Sequence, residues 1–322
     1  PLILGSWQAF LVFLTYPVLI VKRIRNEEAV LTETTRQLAN VIQTLVRPAR
    51  ILYVDDGSRD GTWPLIERLG SEYAEVRGVR LAHNVGHQQA LWAGMEHVAD
   101  EAEAIVSIDA DLQDDVDVIG RMVKDYAEGA DVVYGVRASR ATDSVFKRWT
   151  AQAFYRFMTA MGSETVYNHA DFRLLSQRAL RALLAHHERN LFLRGMVPLL
   201  GFNVRKEYYD RKERQAGESK YPLSKMLSLA VDGVTSFSVK PLRLIMIMGL
   251  AFILIALGVI LWALVEYVRG NTIQGWTSLL VSLWFVGGTI LLALGVTGEY
   301  IGKIYKEVKH RPLYFIMDEV GK

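Results

Sequence analysis

Asp109 and Asp111 stand one residue apart, directly after the apolar run Ala104-Ile105-Val106-Ser107-Ile108. Two carboxylates held at the end of a buried strand could share one hard cation with diphosphate oxygens. Mg²⁺ in particular prefers a few carboxylates plus substrate phosphates to an all-protein cage. Gln113 is near enough in sequence to complete or hydrogen-bond that shell. Such a pair alone is common in solvated turns, and it is the preceding apolar run that favours a site. A second acidic turn, Asp55-Asp56-Gly57-Ser58-Arg59-Asp60-Gly61-Thr62, follows the run from Arg50 to Val54. Gly57 and Gly61 permit unusual backbone angles there, and Thr62 or Asp60 can cap a following helix. Asp55 or Asp56 could accept from the N–H of a nucleobase. Arg137 closes a third apolar run.

Elements able to position these groups alternate along the chain. Strands are expected over residues 50–54, 76–81, 104–108 and 131–136, with helices over 62–73, 88–99 and 116–128. Such alternation predicts an α/β domain built on a mainly parallel sheet with helices on both faces. Ligands bind beyond the carboxyl ends of the strands in such sheets, and all three polar clusters fall at those ends.

The 322 residues suffice for one ordinary domain plus membrane segments. A net charge of +2 gives no electrostatic reason to expect nucleic acid as a partner. The absence of cysteine excludes a disulfide framework, a thiolate zinc site and a cysteine nucleophile. Charge is concentrated before residue 225 and long apolar runs after it. Leu244 to Val265 and Gly275 to Gly298 are uncharged and long enough to span a bilayer as a hairpin. Lys240 and Arg243 precede the first run, and Lys303, Lys306, Lys309, His310 and Arg311 follow the second, whereas the linker holds only Glu266 and Arg269. The positive-inside rule then puts both flanks and the large N-terminal domain in the cytoplasm, with Trp262, Tyr267 and Trp276 near the outer interface. Pro1 to Val21 is also uncharged, and is read either as a third span or, in part, as the first strand. Residues 221–243 read as interfacial amphipathic helices.

Together the segments VDDGSRDGT (54–62), HNVGHQQALWAG (83–94), DADLQDD (109–115), GVR (135–137), NHADFRLLS (168–176) and RQAGESKYPLSKML (214–227) resemble family 2 glycosyltransferases of the GT-A, Rossmann-like fold. Within that family the chain is similar to the polyisoprenyl-phosphate branch, which includes dolichyl-phosphate mannose synthase and bacterial bactoprenol glucosyl and N-acetylglucosaminyl transferases. The resemblance implies an inverting enzyme that moves glucose or N-acetylglucosamine from a UDP-sugar to undecaprenyl or another polyisoprenyl phosphate, for cell-envelope glycosylation. A GDP-mannose enzyme and a processive polysaccharide synthase are the alternatives. It also implies Mg²⁺ or Mn²⁺ as cofactor, the plasma membrane as location, and a homo-oligomer, tetrameric in relatives.

Site roles carry over residue by residue. Asn26 and Glu27 match the strand end lining the nucleotide pocket, Asp55 and Asp56 the base-binding turn, and Asn84 and His87 the loop over the nucleotide. Asp109, Asp111 and Gln113 match the metal site, with Asp111 also counted as catalytic, and Arg137 a basic residue near the diphosphate. Lys147 and Arg148 match a basic pair beside the acceptor phosphate, and Asp171 and Arg173 the acidic–basic pair at the reaction centre. Arg211, Arg214, Ser219 and Lys220 match a loop closing on the phosphates. Arg23 and Arg25 stand where the family has Pro and an aromatic, a departure bearing on the nucleotide contacts. The implied organisation is an apolar segment 1–16, a cytosolic catalytic domain 17–220, interfacial helices 221–243, two transmembrane helices 244–301 and a cytosolic tail 302–322.

Overall fold

The computed structural model describes residues 16–45, 47–108, 114–137, 169–210, 235, 238–270 and 275–321. The chain divides into two compact units. One comprises Pro1–Gln152, Thr165–Tyr221 and Arg311–Lys322, the other Ala153–Glu164 and Pro222–His310.

The first unit is built on an eight-stranded sheet. Its elements among the described residues are β1 (Tyr16–Ile24), α1 (Glu28–Thr44), β2 (Ala49–Asp55), α2 (Thr62–Glu72), β3 (Val76–Leu81), α3 (His87–His97), β4 (Ala102–Ser107), α4 (Val118–Ala127), β5 (Val132–Arg137), β6 (His169–Ser176), α5 (Gln177–Leu184), α6 (Leu193–Leu199), β7 (Val204–Tyr209) and β8 (Ile316–Val320). The strand order is β7-β5-β6-β4-β1-β2-β3-β8. β4, β1, β2 and β3 are mutually parallel, β5 and β7 are parallel to each other, and only β6 and β8 run against their neighbours. The sheet is thus mostly parallel, as the alternation predicts, with one reversed strand inside it and one at its edge.

β1 forms because Val18, Leu19, Ile20 and Val21 lose all solvent contact between β2 and β4. This places residues 16–21 in the sheet and removes them from any third spanning helix over the N-terminal apolar run. Gly94 lets α3 sit against this centre, since a Cβ there would lie 2.6 Å from both Val21 Cγ1 and Val54 Cγ2. That close approach fixes α3, and with it His87 at its first turn. α1 buries Leu31, Thr34, Thr35, Leu38 and Val41.

β1, β2 and β3 follow one another to one side, and β4 then returns to the other side of β1. The strand order therefore reverses between β1 and β4, which is where open α/β sheets hold their ligands. Because β6 is reversed, its first residues lie at the same edge as the last residues of β4, with Ser107 opposite Arg173.

Residues 316–320 are not a free tail. β8 pairs antiparallel with β3, Ile316 opposite Leu81 and Asp318 opposite Arg80. The Ala82 N–H donates to the Phe315 carbonyl at 2.9 Å, and the Tyr314 hydroxyl donates to Glu96 on α3 at 2.6 Å.

The second unit contains α7 (Lys240–Val268) and α8 (Trp276–Val308). Each has a stretch long and apolar enough to cross a membrane, Lys240–Val259 with mean hydropathy 2.6 and Phe285–Val308 with 1.4. Neither stretch is buried within the protein. The helices touch through an edge-on pair of rings, Phe252 and Phe285, 5.8 Å apart. α8 runs ten residues beyond Gly298, the expected end of the second apolar run.

Candidate active site

At the end of β2, Asp55 and Asp56 are both wholly buried yet differently supplied. Asp56 Oδ2 accepts from Arg23 Nη2 at 2.8 Å, Arg23 Nε at 3.2 Å and Asn84 Nδ2 at 3.1 Å. Its Oδ1 accepts from the Val85 N–H at 2.7 Å. Arg23, which departs from the family pattern, thus anchors Asp56 at the end of β1. Asp55 Oδ1 accepts from the Ser58 N–H at 3.0 Å, but Oδ2 has no hydrogen-bond donor among the described residues. Among the described residues the cation nearest that oxygen is Arg80, Nε at 3.8 Å, which also lies over the Trp63 ring. Burial pushes the Asp55 carboxyl above the usual carboxylate range, only partly offset by Ser58 and Arg80. Of the two base-binding candidates, Asp56 is spent on the protein itself and Asp55 keeps an acceptor.

The Asp55–Thr62 turn is clamped to the end of β1. The Asn26 N–H donates to Ser58 Oγ at 3.0 Å, and Asn26 Oδ1 accepts from the Arg59 N–H at 3.1 Å. The Glu27 N–H donates to Thr62 Oγ1 at 3.2 Å. Gly57, at φ 63°, runs so close to the 83–85 loop that a Cβ would lie 2.6 Å from the Asn84 nitrogen. A side chain there would push apart the two turns that hold Asp56.

The second centre lies at the start of β6. Asp171 Oδ1 accepts from Arg173 Nη2 at 2.5 Å and Arg194 Nε at 3.2 Å. Its Oδ2 meets Arg194 Nη2 at 2.9 Å and His87 Nε2 at 3.1 Å. Burial opposes ionisation of Asp171, but the His87 hydrogen bond and the charges of Arg194 and Arg173 outweigh it and hold the carboxyl well below the usual range. So stabilised a carboxylate is a poor base and a good brace. Ser107, the last residue of β4, donates through Oγ to the Asp171 carbonyl at 2.7 Å. The brace therefore stands where the chain enters the acidic segment 109–113.

Arg173, expected at the reaction centre, is wholly buried. It bridges Asp171 to the start of α6 by donating from Nη1 to the Leu193 carbonyl at 3.1 Å. Arg194 is the residue that sequence reading missed. Its only signal is the Arg-Gly pair opening α6, which means nothing until the fold brings residues 87, 171, 173 and 194 together. His87, expected over the nucleotide, is hydrogen-bonded through Nε2 to Asp171 Oδ2 at 3.1 Å.

Arg137 ends β5 in a third cluster. Asp114 Oδ1 accepts from Arg137 Nη2 at 3.1 Å and from the Tyr209 hydroxyl at 2.5 Å. Burial and the Asp114 carboxylate push the Tyr209 phenol well up, so it stays a donor. Asp109, Asp111, Gln113, Lys147, Arg148, Arg211, Arg214, Ser219 and Lys220 lie outside the described residues, as do residues 221–234 of the expected interfacial helices. Among the described residues no cluster of three metal-ligating acids or histidines occurs.

An acidic turn at the carboxyl edge of an α/β sheet, with a carboxylate braced by arginines in the same sheet, suits the transfer of a group carried on a nucleotide. Residues 20–184 match the model of Glycosyl transferase family 2, and the chain belongs to that family; it is a sugar-transferring enzyme. Among its relatives is YkoT of Bacillus subtilis (strain 168), described as an uncharacterized glycosyltransferase. It is 48% identical over 93% of this chain and 91% of its own length. The bactoprenol glucosyl transferase of Shigella phage SfV is 37% identical over 94% of this chain and 99% of its own. Among solved structures, the glucosyl-3-phosphoglycerate synthase of Mycobacterium tuberculosis, bound to Mn²⁺, UDP and phosphoglyceric acid, is similar over 68% of this chain and 76% of its own. Its TM-score is 0.45 and its identity 17%.

Proposed function

We propose that the enzyme transfers a sugar, with glucose first and N-acetylglucosamine second, from a UDP-sugar to the phosphate of a membrane-held polyisoprenyl phosphate such as undecaprenyl phosphate. The observation that carries this reading is the likeness to the SfV bactoprenol glucosyl transferase, which runs through the α/β unit and both apolar helices rather than the sheet alone. Basic residues flanking the two helices favour a catalytic unit on the cytoplasmic face. A polyprenyl tail keeps its phosphate at the bilayer surface, and an enzyme tethered there meets it at high effective concentration. A homo-oligomer, tetrameric by resemblance, belongs to the same reading.

The reaction forms a bond from an acceptor phosphate oxygen to the anomeric carbon and breaks the bond from that carbon to the diphosphate. A phosphate monoester has its second pKa at about 6 and is largely dianionic at neutral pH. It needs no strong base, which agrees with an Asp171 too well stabilised to take a proton. Asp55 Oδ2 offers its free acceptor to the N–H of the uracil. Arg137, held by Asp114, faces the growing charge of the leaving diphosphate.

The donor set Asp109, Asp111 and Gln113 is made of hard oxygens and fits Mg²⁺ or Mn²⁺. Asp171, next to the end of β4, does not compete for the cation because its oxygens are committed to Arg173, Arg194 and His87. When bound, the cation supplies Lewis-acid neutralisation of the leaving diphosphate.

The test is to incubate membranes holding the full chain with labelled UDP-glucose or UDP-N-acetylglucosamine and undecaprenyl phosphate, and to weigh the product. A monoglycosylated lipid phosphate is expected; polymer or no lipid product rejects the reading. Asp111→Ala should abolish divalent-dependent turnover with the thermal midpoint unchanged, and near-normal rates at controlled metal would remove the metal assignment.

A further inference from the structure

We infer that Gln89, in the first turn of α3, is a positioning residue for nucleotide binding. It acts by joining two segments far apart in sequence, the 83–85 loop and the strap Leu313–Phe315 that follows α8 in the chain. The inference rests on the proposed binding of a uridine diphosphate at the end of β2.

The first support is the amide itself. Oriented with its nitrogen toward them, the Gln89 side chain donates to the Val85 carbonyl at 3.0 Å and to the Leu313 carbonyl at 3.2 Å. The opposite orientation would set oxygen against oxygen at both contacts. One amide group thus holds both segments.

The second support is what the loop holds in turn. The Val85 N–H donates to Asp56 Oδ1 at 2.7 Å, and the Asn84 side chain donates to Oδ2 at 3.1 Å. Gly57 of the Asp55–Thr62 turn runs against the Asn84 backbone nitrogen, where a Cβ would lie 2.6 Å away. The loop therefore backs the turn that presents Asp55, and Gln89 backs the loop.

The third support is how the loop is kept in place. Ala82, His83 and Asn84 are exposed. Gly86 turns the chain at φ 95° and has no side chain to pack. A segment with few buried contacts depends on its hydrogen bonds for its shape. The strap gives those bonds a firm abutment. The Tyr314 hydroxyl donates to Glu96 at 2.6 Å, and the Phe315 carbonyl accepts from the Ala82 N–H at 2.9 Å. Gln89 and Glu96 share one face of α3. Leu313, Tyr314 and Phe315 thus meet α3 twice and the start of the loop once.

The full chain, purified in detergent, would be compared with Gln89→Leu, Tyr314→Phe, the double variant and, as control, Gln37→Leu, which removes an amide bonded to Glu33 on α1. UDP affinity is measured by calorimetry without acceptor. Turnover gives kcat, KM for whichever UDP-sugar is transferred, and KM for undecaprenyl phosphate. Gln89→Leu should weaken UDP and raise the donor KM by about threefold to tenfold, the range of one or two uncharged hydrogen bonds. Its kcat at saturating donor and its lipid KM should stay within about twofold. A mere loss of folded protein would lower kcat and leave both KM values alone. Tyr314→Phe should weaken UDP by about twofold to threefold alone and by nothing further in the double variant, because the strap reaches the loop through Gln89. Gln37→Leu should change none of these. The proposal is overturned if Gln89→Leu binds UDP within about twofold of the wild type, if kcat falls while the donor KM holds, or if the losses of the two variants multiply. A wild-type chain that transfers no sugar, with UDP binding still weakened in Gln89→Leu, would sink the transfer reading and leave this inference standing. Normal transfer and unaltered UDP affinity in Gln89→Leu would do the reverse.

Discussion

Two buried aspartates at one sheet edge have been driven in opposite directions. Asp55, at the end of β2, lies 3.8 Å from the partly exposed Arg80 and is pushed up by burial. Asp171, at the start of β6, is gripped by Arg173, Arg194 and His87 and held far down. Burial acts on both, and what differs is whether compensating donors reach the oxygens. An aspartate short of donors is ready to take one from a ligand. A saturated one orders its neighbours. Asp56 falls on the saturated side as well, although it adjoins Asp55 in sequence.

The largest expected break comes at Asp171. Asp171→Asn would take a carboxylate away from the buried Arg173 charge, and losing one member of a buried pair costs about 3–5 kcal/mol. Chemical denaturation of the detergent-solubilised chain should show that loss; a change under about 1 kcal/mol would mean Asp171 is no brace. Next comes Asp55→Asn. It should weaken UDP binding by about tenfold, one charge-assisted hydrogen bond, while the thermal midpoint holds or rises because a poorly compensated buried charge is removed. Equal UDP affinity in that variant would take away its role as reader.

A pH series sharpens the contrast further. Asp171 has a depressed carboxyl, so its stabilisation is complete above the unfolded value of about 3.9 and is lost only as pH falls through the folded value. Asp55 has a raised carboxyl, so its favourable share is present in acid and is lost as pH rises through the folded value. The gain in midpoint from Asp55→Asn should therefore be present at neutral pH and vanish in acid. A gain unaffected by pH would contradict the assigned direction. Smallest of all, Asp318→Ala, which removes an exposed partner of Arg80 at 3.4 Å, should cost under about 1 kcal/mol and leave UDP affinity intact.

Much of this contrast was legible in the sequence, and its decisive half was not. β2, β4 and β5 announce themselves as short apolar runs leading into Asp55, Asp109 and Arg137, because central strands are buried on both faces. β6 and β7 mix charge with apolar residues, so periodicity says little about them. Helix α1 also escaped the reading. No local pattern reveals that Asp171 meets His87 across 84 positions, or that Arg194 completes the group. Arg23 looked like a departure from the family that unsettles the nucleotide end. The fold turns it into the anchor of Asp56.

The pairing of β8 with β3 has a consequence for biogenesis. The ribosome makes seven strands of the sheet, then both greasy helices, and only afterwards the strand that covers Val76–Leu81. Until residues 316–320 emerge, that ladder of backbone amides and carbonyls is an open template for a neighbouring nascent chain. A stop codon after α8 would spare every carboxylate of the site and still yield a protein prone to aggregate.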